Sequence, residues 1–232
     1  MRAPSPRSID EEPVRRASLS AKGEIRRSRI MDAAEAIFAE RGYYGCSLRD
    51  VAARAESNLG LLNYYFRSKE DLFHEIVDRR RDFLYALVRD SLDASPPSDD
   101  PLTAVSGLVR AFVKPFLDIC VGEDDGPRNY VRLTSNVMSS YRDPELQGWL
   151  TRLQPISDLL IDRLRQALPG LDERSLMAGL YMLEAALIFM VQDPGFVDDL
   201  TSGAHTAGRI DGMTAYVAPF FAAGFQALPR RR

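Results

Sequence analysis

Between Asn58 and Phe73 the chain reads NLGLLNYYFRSKEDLF: a leucine pair, an amide, two phenols, then Arg67 and Lys69. These groups can serve an extended anion. Lys69 and the Tyr65 hydroxyl can donate to phosphate oxygens, and Lys69 falls in the first turn of a helix, whose N-terminus also attracts anions. Asn63 can read the N6/N7 edge of adenine, Gly60 permits close backbone approach, and Leu61 can touch a thymine methyl. Catalytic chemistry has no comparable cluster. His74 and His205 stand apart, and no Ser/His/Asp or Cys/His set, phosphate-cradling glycine loop or pair of catalytic carboxylates can be assembled. Cys46 and Cys120 are far apart, with no C-x-x-C or Cys/His cluster, and read as reduced thiols of a cytoplasmic protein. The expectation is a protein that is not an enzyme, with no catalytic residue, no metal and no cofactor.

The elements that must position these groups are nearly all helical, so the expected fold class is all-α. Ile30, Ala33, Ala34, Ile37 and Phe38 recur at helical spacing and predict a helix over 21–41 that Gly42 stops. Ser47 and Asp50 make an S-x-x-D capping pattern for a short helix to Ala55, and Asn58 suits the N-cap of a second. Ser68 and Asp71 repeat the pattern before a long helix with Leu72, Phe73, Ile76, Val77, Phe83, Leu84, Leu87 and Val88 on its apolar side. Beyond the Pro-rich DASPPSDDP, helices are expected at 101–121 (kinked by Pro115), 128–140, 143–168 (capped by Asp143, with Pro144 first), 172–192 and 210–228. DPGFVDDLTSGAHTAG reads as a long loop. The first two short helices form a helix-turn-helix unit, with Val51, Leu62 and Phe66 as its internal contact. The second is too short to stand alone and needs the long helix after Ser68 behind it.

Net charge is −3, but residues 1–70 carry 13 Lys+Arg against 10 Asp+Glu, so the positive excess lies at the N-terminal end. The run SLMAGLYMLEAALIFMV is short for a membrane span and carries Glu184, so no membrane partner is expected. The first 22 residues, rich in Arg, Ser and Pro, read as a disordered tail. The expected division is a tail at 1–22, a helix-turn-helix domain at 23–70 and a helical domain at 71–232.

The stretch RIMDAAEAIFAERGYYGCSLRDVAARAESNLGLLNYYFRSKEDLF resembles the DNA-binding domain of the tetracycline-repressor (TetR) family of bacterial transcriptional regulators. The matching elements are Ala33-Ala34 and Phe38, Arg41-Gly42-Tyr43, Ser47 through Ala52, Leu62, Tyr64, Phe66, and Ser68-Lys69-Glu70 with Leu72. Glu56 and Ser57 depart from the Gly-Val often found in the turn, so a turn requiring positive φ strains Glu56. Asn63 and Tyr65 stand where an aromatic residue and His are common. The resemblance implies a homodimer reading double-stranded operator DNA of palindromic type in successive major grooves. It also implies a C-terminal helical domain that dimerises through its last two long helices and encloses a small-molecule effector, whose binding releases DNA.

On that resemblance Arg49 takes a position that can reach a guanine edge, the alternative being an exposed Arg paired with an acid. Leu59, Gly60, Leu61 and Asn63 face the groove if Leu62 and Phe66 face the core, although Leu59 and Leu61 equally suit packing. Tyr65 and Lys69 are the expected phosphate clamps, Ser47 is either clamp or cap, and Tyr64, also a candidate DNA contact, is expected to pack with its hydroxyl at the surface. The run Arg79-Arg80-Arg81 reads as a solvated face. Candidate effector contacts are Glu184, Arg132, Asn136, Tyr141, Trp149 and Tyr181, each also readable as a structural residue. The apolar residues, with Met138, Met177, Met182 and Met190, suggest a hydrophobic or amphipathic effector. A rival reading is a helical adaptor that reuses the fold with DNA binding secondary.

Overall fold

The computed structural model describes residues 11–140, 142–146, 148–204 and 210–230. Among them the chain is all-α: α1 (Glu11–Arg41), α2 (Leu48–Arg54), α3 (Leu59–Tyr65), α4 (Lys69–Asp93), α5 (Pro101–Val121), α6 (Asp125–Val137), α7 (Trp149–Ala167), α8 (Glu173–Gln192), α9 (Phe196–Leu200) and α10 (Thr214–Ala227).

The short helices are held by their caps. Ser47 and Asp50 form a reciprocal capping box at α2, and the Asn58 and Ser68 side chains accept from the N–H groups of Leu61 and Asp71 to open α3 and α4. Gly42 turns the chain after α1 with φ 70°. The turn between α2 and α3 does require positive φ: Glu56 adopts φ 50°, and its carboxylate pairs with Arg29 at 3.1 Å.

Two hydrophobic cores result. The N-terminal one packs Ile30, Ile37 and Phe38 of α1 against Val51, Leu62 and Phe66, closed by Leu72, Phe73, Ile76 and Val77 of α4. Phe38, Tyr43 and Phe73 meet there, with Phe73 edge-on to both other rings. Leu133 and Val137 of α6, Leu146 and Trp149 belong to the same core. The larger core gathers Leu84, Val88 and Leu92 of α4 with α5, α7, α8 and α10. The expected boundary at 70/71 therefore falls inside α4, whose first turns complete the N-terminal core.

Polar ties reinforce the join. Arg80 Nε donates to both oxygens of the buried Glu35 at 3.0 and 2.9 Å, and Arg79 pairs with Asp32 at 2.6 Å. Arg81 pairs with Asp78, which also takes Arg152 from α7. The triple arginine thus pairs with acids, and Arg79 remains exposed as expected of a solvated face. Asn136 Nδ2 donates to the Ala39 carbonyl at 3.0 Å, and the Tyr44 hydroxyl donates to Asp143 at 2.9 Å.

Several expectations change. α1 begins at Glu11, inside the expected disordered tail. Residues 1–10 of that tail lie outside the described residues. Pro144 opens only a 3₁₀ turn, and α7 starts after Gly148, whose φ of 84° breaks the helical path. The stretch read as a loop after α8 contains α9. The helix expected at 101–121 is α5, with Pro115 inside it.

Candidate nucleic-acid interface and ligand cavity

α3 buries one residue, Leu62, and Phe66 behind it is fully buried as well. The opposite side presents Gly60, Asn63 and Tyr64 to solvent, flanked by half-buried Leu59 and Leu61. Tyr64 is 80% exposed, not packed. A residue rotates about 100° from its neighbour along a helix, so once Leu62 and Phe66 face inward Tyr64 points away from the core and Tyr65 falls to one flank. Tyr65 falls toward α1, where its hydroxyl donates to the Gly23 carbonyl at 3.1 Å. Its only O–H is therefore occupied within the domain.

Lys69 also differs from its expected role. Its Nζ donates to the carbonyls of Tyr43 at 3.2 Å and Cys46 at 3.4 Å, and stands 4.1 Å from the Tyr43 ring centroid. The ammonium pins the turn between α1 and α2 and has at most one N–H left for a phosphate. Ser47 caps α2 and donates its O–H to Asp50, whose carboxyl those bonds hold below the usual carboxylate range. Arg49 is exposed and forms no ion pair or hydrogen bond among the described residues.

Two cations outside the expected set border this face. Arg67 is exposed at the end of α3, and Arg26 of α1 shares a small cleft with Asn58 and Leu61. Arg67 stands directly after the aromatic run of α3 in the sequence, but Arg26 becomes visible only when α1 is laid against the start of α3.

In the C-terminal part a cavity of about 330 Å³ lies between α4, α5, α6, α7 and α8, with a predominantly apolar wall. Phe112, Met138, Met177 and Leu187 are among its lining residues, together with Trp149, Ser157 and Glu184. Ser157 donates to Glu184 at 2.5 Å. Burial raises the Glu184 carboxyl above its ordinary value, and the Ser157 bond only partly opposes this. Of the expected effector contacts, Trp149 and Glu184 thus meet at the cavity. Arg132 is exposed away from it, Asn136 is bonded to Ala39, and Tyr181 is 73% exposed on the outer face of α8. Tyr141 and His205 lie outside the described residues. Ser157 was missed, because only the packing of α7 on α8 brings it to Glu184. Gln192 donates to the Ser135 carbonyl at 2.7 Å and ties α8 to α6. Among the described residues no group of His, Cys, Asp and Glu could hold a metal ion.

α8 is long and apolar enough to cross a membrane by length and composition. One side of it carries Leu176, Leu180, Leu183, Leu187 and Val191 into the core, and Glu184 sits mid-helix at the cavity. The other side exposes Tyr181, Met182 and Phe189, and α10 likewise exposes Tyr216 and Phe220. A Cβ on Gly224 of α10 would meet open space, whereas one on Gly179 of α8 would lie 2.3 Å from the Phe225 ring. The Gly179 position therefore serves close packing within the subunit.

Two short capped helices on a three-helix core, with an uncommitted polar face and a ligand-sized cavity behind them, define the helix-turn-helix regulator class. The matches to known proteins narrow this further. The family model "Bacterial regulatory proteins, tetR family" matches residues 30–76, and "Tetracyclin repressor-like, C-terminal domain" matches residues 110–224. The chain belongs to the tetracycline-repressor family of bacterial regulators. The HTH-type transcriptional repressor KstR2 of Mycobacterium tuberculosis is 36% identical over 86 residues, which are 37% of this chain and 42% of that protein. The chain thus spans less than half the length of this curated relative. A TetR-family regulator from Bordetella parapertussis superposes with a TM-score of 0.62 at 19% identity, covering 84% of this chain and 93% of that one. Bacillus subtilis FadR, solved in complex with stearoyl-CoA, gives 0.57 at 15% identity, covering 85% and 98%. Both structures share the fold.

Proposed function

We propose that the chain is a cytoplasmic transcriptional repressor that binds a palindromic operator as a homodimer through α3 and is released by a small amphipathic effector. The observation that carries this reading is the division of α3: one face is locked into the core while Gly60, Asn63 and Tyr64 are exposed beside Arg49, which has no partner among the described residues. Arg49 and Asn63 read base edges, and Leu61 meets a thymine methyl. Tyr64, Arg67 and Arg26 hold phosphates, with Ser47 contributing from its helix start and Lys69 through its one remaining N–H. Tyr65 acts from within, as the strut between α3 and α1.

The exposed aromatic faces of α8 and α10 supply the dimer contact. The cavity supplies the effector site: its α6 wall continues into the N-terminal core through Leu133 and Val137, and Asn136 ties that helix to α1. A ligand that moves α6 thereby changes the separation of the two reading heads.

The test is binding to DNA from the chain's own promoter region and to a scrambled duplex, each across a salt series. Preference for the promoter fragment, relaxed by Arg49→Ala, is expected; equal affinity and equal salt dependence for both duplexes would overturn the proposal. Phe220→Lys is expected to yield a monomer by light scattering, and a dimer that persists counts against the α8–α10 face.

A further inference from the structure

The cavity wall restricts what can fill it. Trp149 is fully buried, and its indole Nε1–H has no acceptor among the described residues. Trp149 lines the cavity while its ring belongs to the N-terminal core, so one side chain touches both compartments. The hydroxyls of Thr134 and Ser135 are already donated to carbonyls of their own helix. Ser157 spends its O–H on Glu184 Oε1, which leaves Oε2 with no donor among the described residues. Glu184 and Asp158 are the charged residues described on the wall, and no Lys, Arg or His joins them there. Arg152, on the same helix as Asp158, is taken by Asp78.

An anionic headgroup in this cavity would meet two carboxylates and no described cation within an apolar wall, where charge repulsion is poorly screened. An unpartnered donor and an open carboxylate oxygen instead ask for an acceptor and a donor. Resting on the ligand-responsive reading above, we infer that the cavity selects a non-anionic amphiphile: an apolar body with a hydroxyl or ammonium donor against Glu184 and an acceptor for Trp149 Nε1, to the exclusion of carboxylates and acyl-CoA thioesters.

Trp149 is the chain's single tryptophan, so intrinsic emission reports from the cavity wall itself. The full-length protein is titrated with decanol, decylamine, decanoate and decanoyl-CoA while Trp149 emission is followed. Decanol or decylamine is expected to shift the emission and to bind at least about 10-fold more tightly than decanoate, and Glu184→Gln to narrow that gap to about 3-fold or less. Trp149→Phe, read by release of operator DNA, is expected to weaken the response to the effective probe several-fold; unchanged release removes the Nε1 contact from the inference. Decanoate or decanoyl-CoA binding as tightly as the alcohol and amine overturns the selection. So does a failure of all four probes to shift the emission. Operator preference measured without any probe fails or survives independently, so loss of the regulator reading is distinguishable from loss of this one.

Discussion

Lys69 separates two roles that the same side chain could fill. Replacing it by Met keeps the aliphatic stem and removes the ammonium. The folded state then loses two rather long charge-assisted bonds, to Tyr43 at 3.2 Å and Cys46 at 3.4 Å, and the cation held 4.1 Å from the Tyr43 ring. Because both bonds are long, together they are worth about 1 kcal/mol, and a partly exposed cation–π contact adds about 0.5–1 kcal/mol. Lys69→Met is therefore expected to cost about 1.5–2 kcal/mol, which for a chain of this size lowers the melting temperature by about 3–8 °C. If Lys69 instead clamped a phosphate in each subunit of a dimer, its loss would reduce the slope of log affinity against log salt by about 1.8. Thermal unfolding followed by circular dichroism and a salt titration on operator DNA measure both quantities on one preparation. A melting temperature unchanged within about 1 °C, together with the full loss of slope, would refute the structural role of the ammonium.

Three further outcomes are expected. Glu56→Gly relieves a left-handed Glu, a cost of about 1–2 kcal/mol, against about 0.5–1 kcal/mol of added chain entropy. Its exposed ion pair with Arg29 offsets little, so urea unfolding should show a gain of about 0.5 kcal/mol, and a clear loss contradicts the assignment of strain. Gly179→Ala places a methyl 2.3 Å from the Phe225 ring; overpacking of about 1–3 kcal/mol outweighs the better helix propensity of Ala, and a variant at least as stable as the parent excludes so close an α8–α10 approach. The Glu184 carboxyl is raised above 4.5 by burial, so its contribution to stability is fully present below about pH 4.5 and is lost as pH rises through the folded value. Glu184→Gln should therefore gain on the parent as pH rises, whereas parallel curves of melting temperature against pH would exclude an uncomfortable buried carboxyl.

What could be read in advance was what local chemistry decides. Ser47, Asn58 and Ser68 cap their helices because a short polar side chain finds the N–H of the residue three positions on, whatever surrounds it. The strained turn at Glu56 was legible through the family resemblance, in which Gly is common at that place. The partners of Lys69 and Tyr65 were not, because they depend on where α1 and the turn after it pass. The carbonyls of Tyr43, Cys46 and Gly23 are distant in sequence, and they decide which donors stay free. In the C-terminal part Glu184, singled out as a lone carboxylate in an apolar helix, lines the cavity. Arg132, Asn136 and Tyr181 carried no such signal: polarity gives a residue's appetite for partners, but only packing sets the face it occupies.

The continuity of the N-terminal core from α1 through the first turns of α4 into α6 bears on recombination between relatives. A crossover just after Lys69 would strip Leu72, Phe73, Ile76 and Val77 from the hydrophobic cluster they close. It would also part Glu35 from Arg80. A chimera that transplants operator preference onto a foreign effector module must carry the whole first half of α4 and bring a host whose α6 offers matching counterparts of Leu133, Asn136 and Val137. In this chain the joint most readily cut on paper runs through packing that the N-terminal core needs.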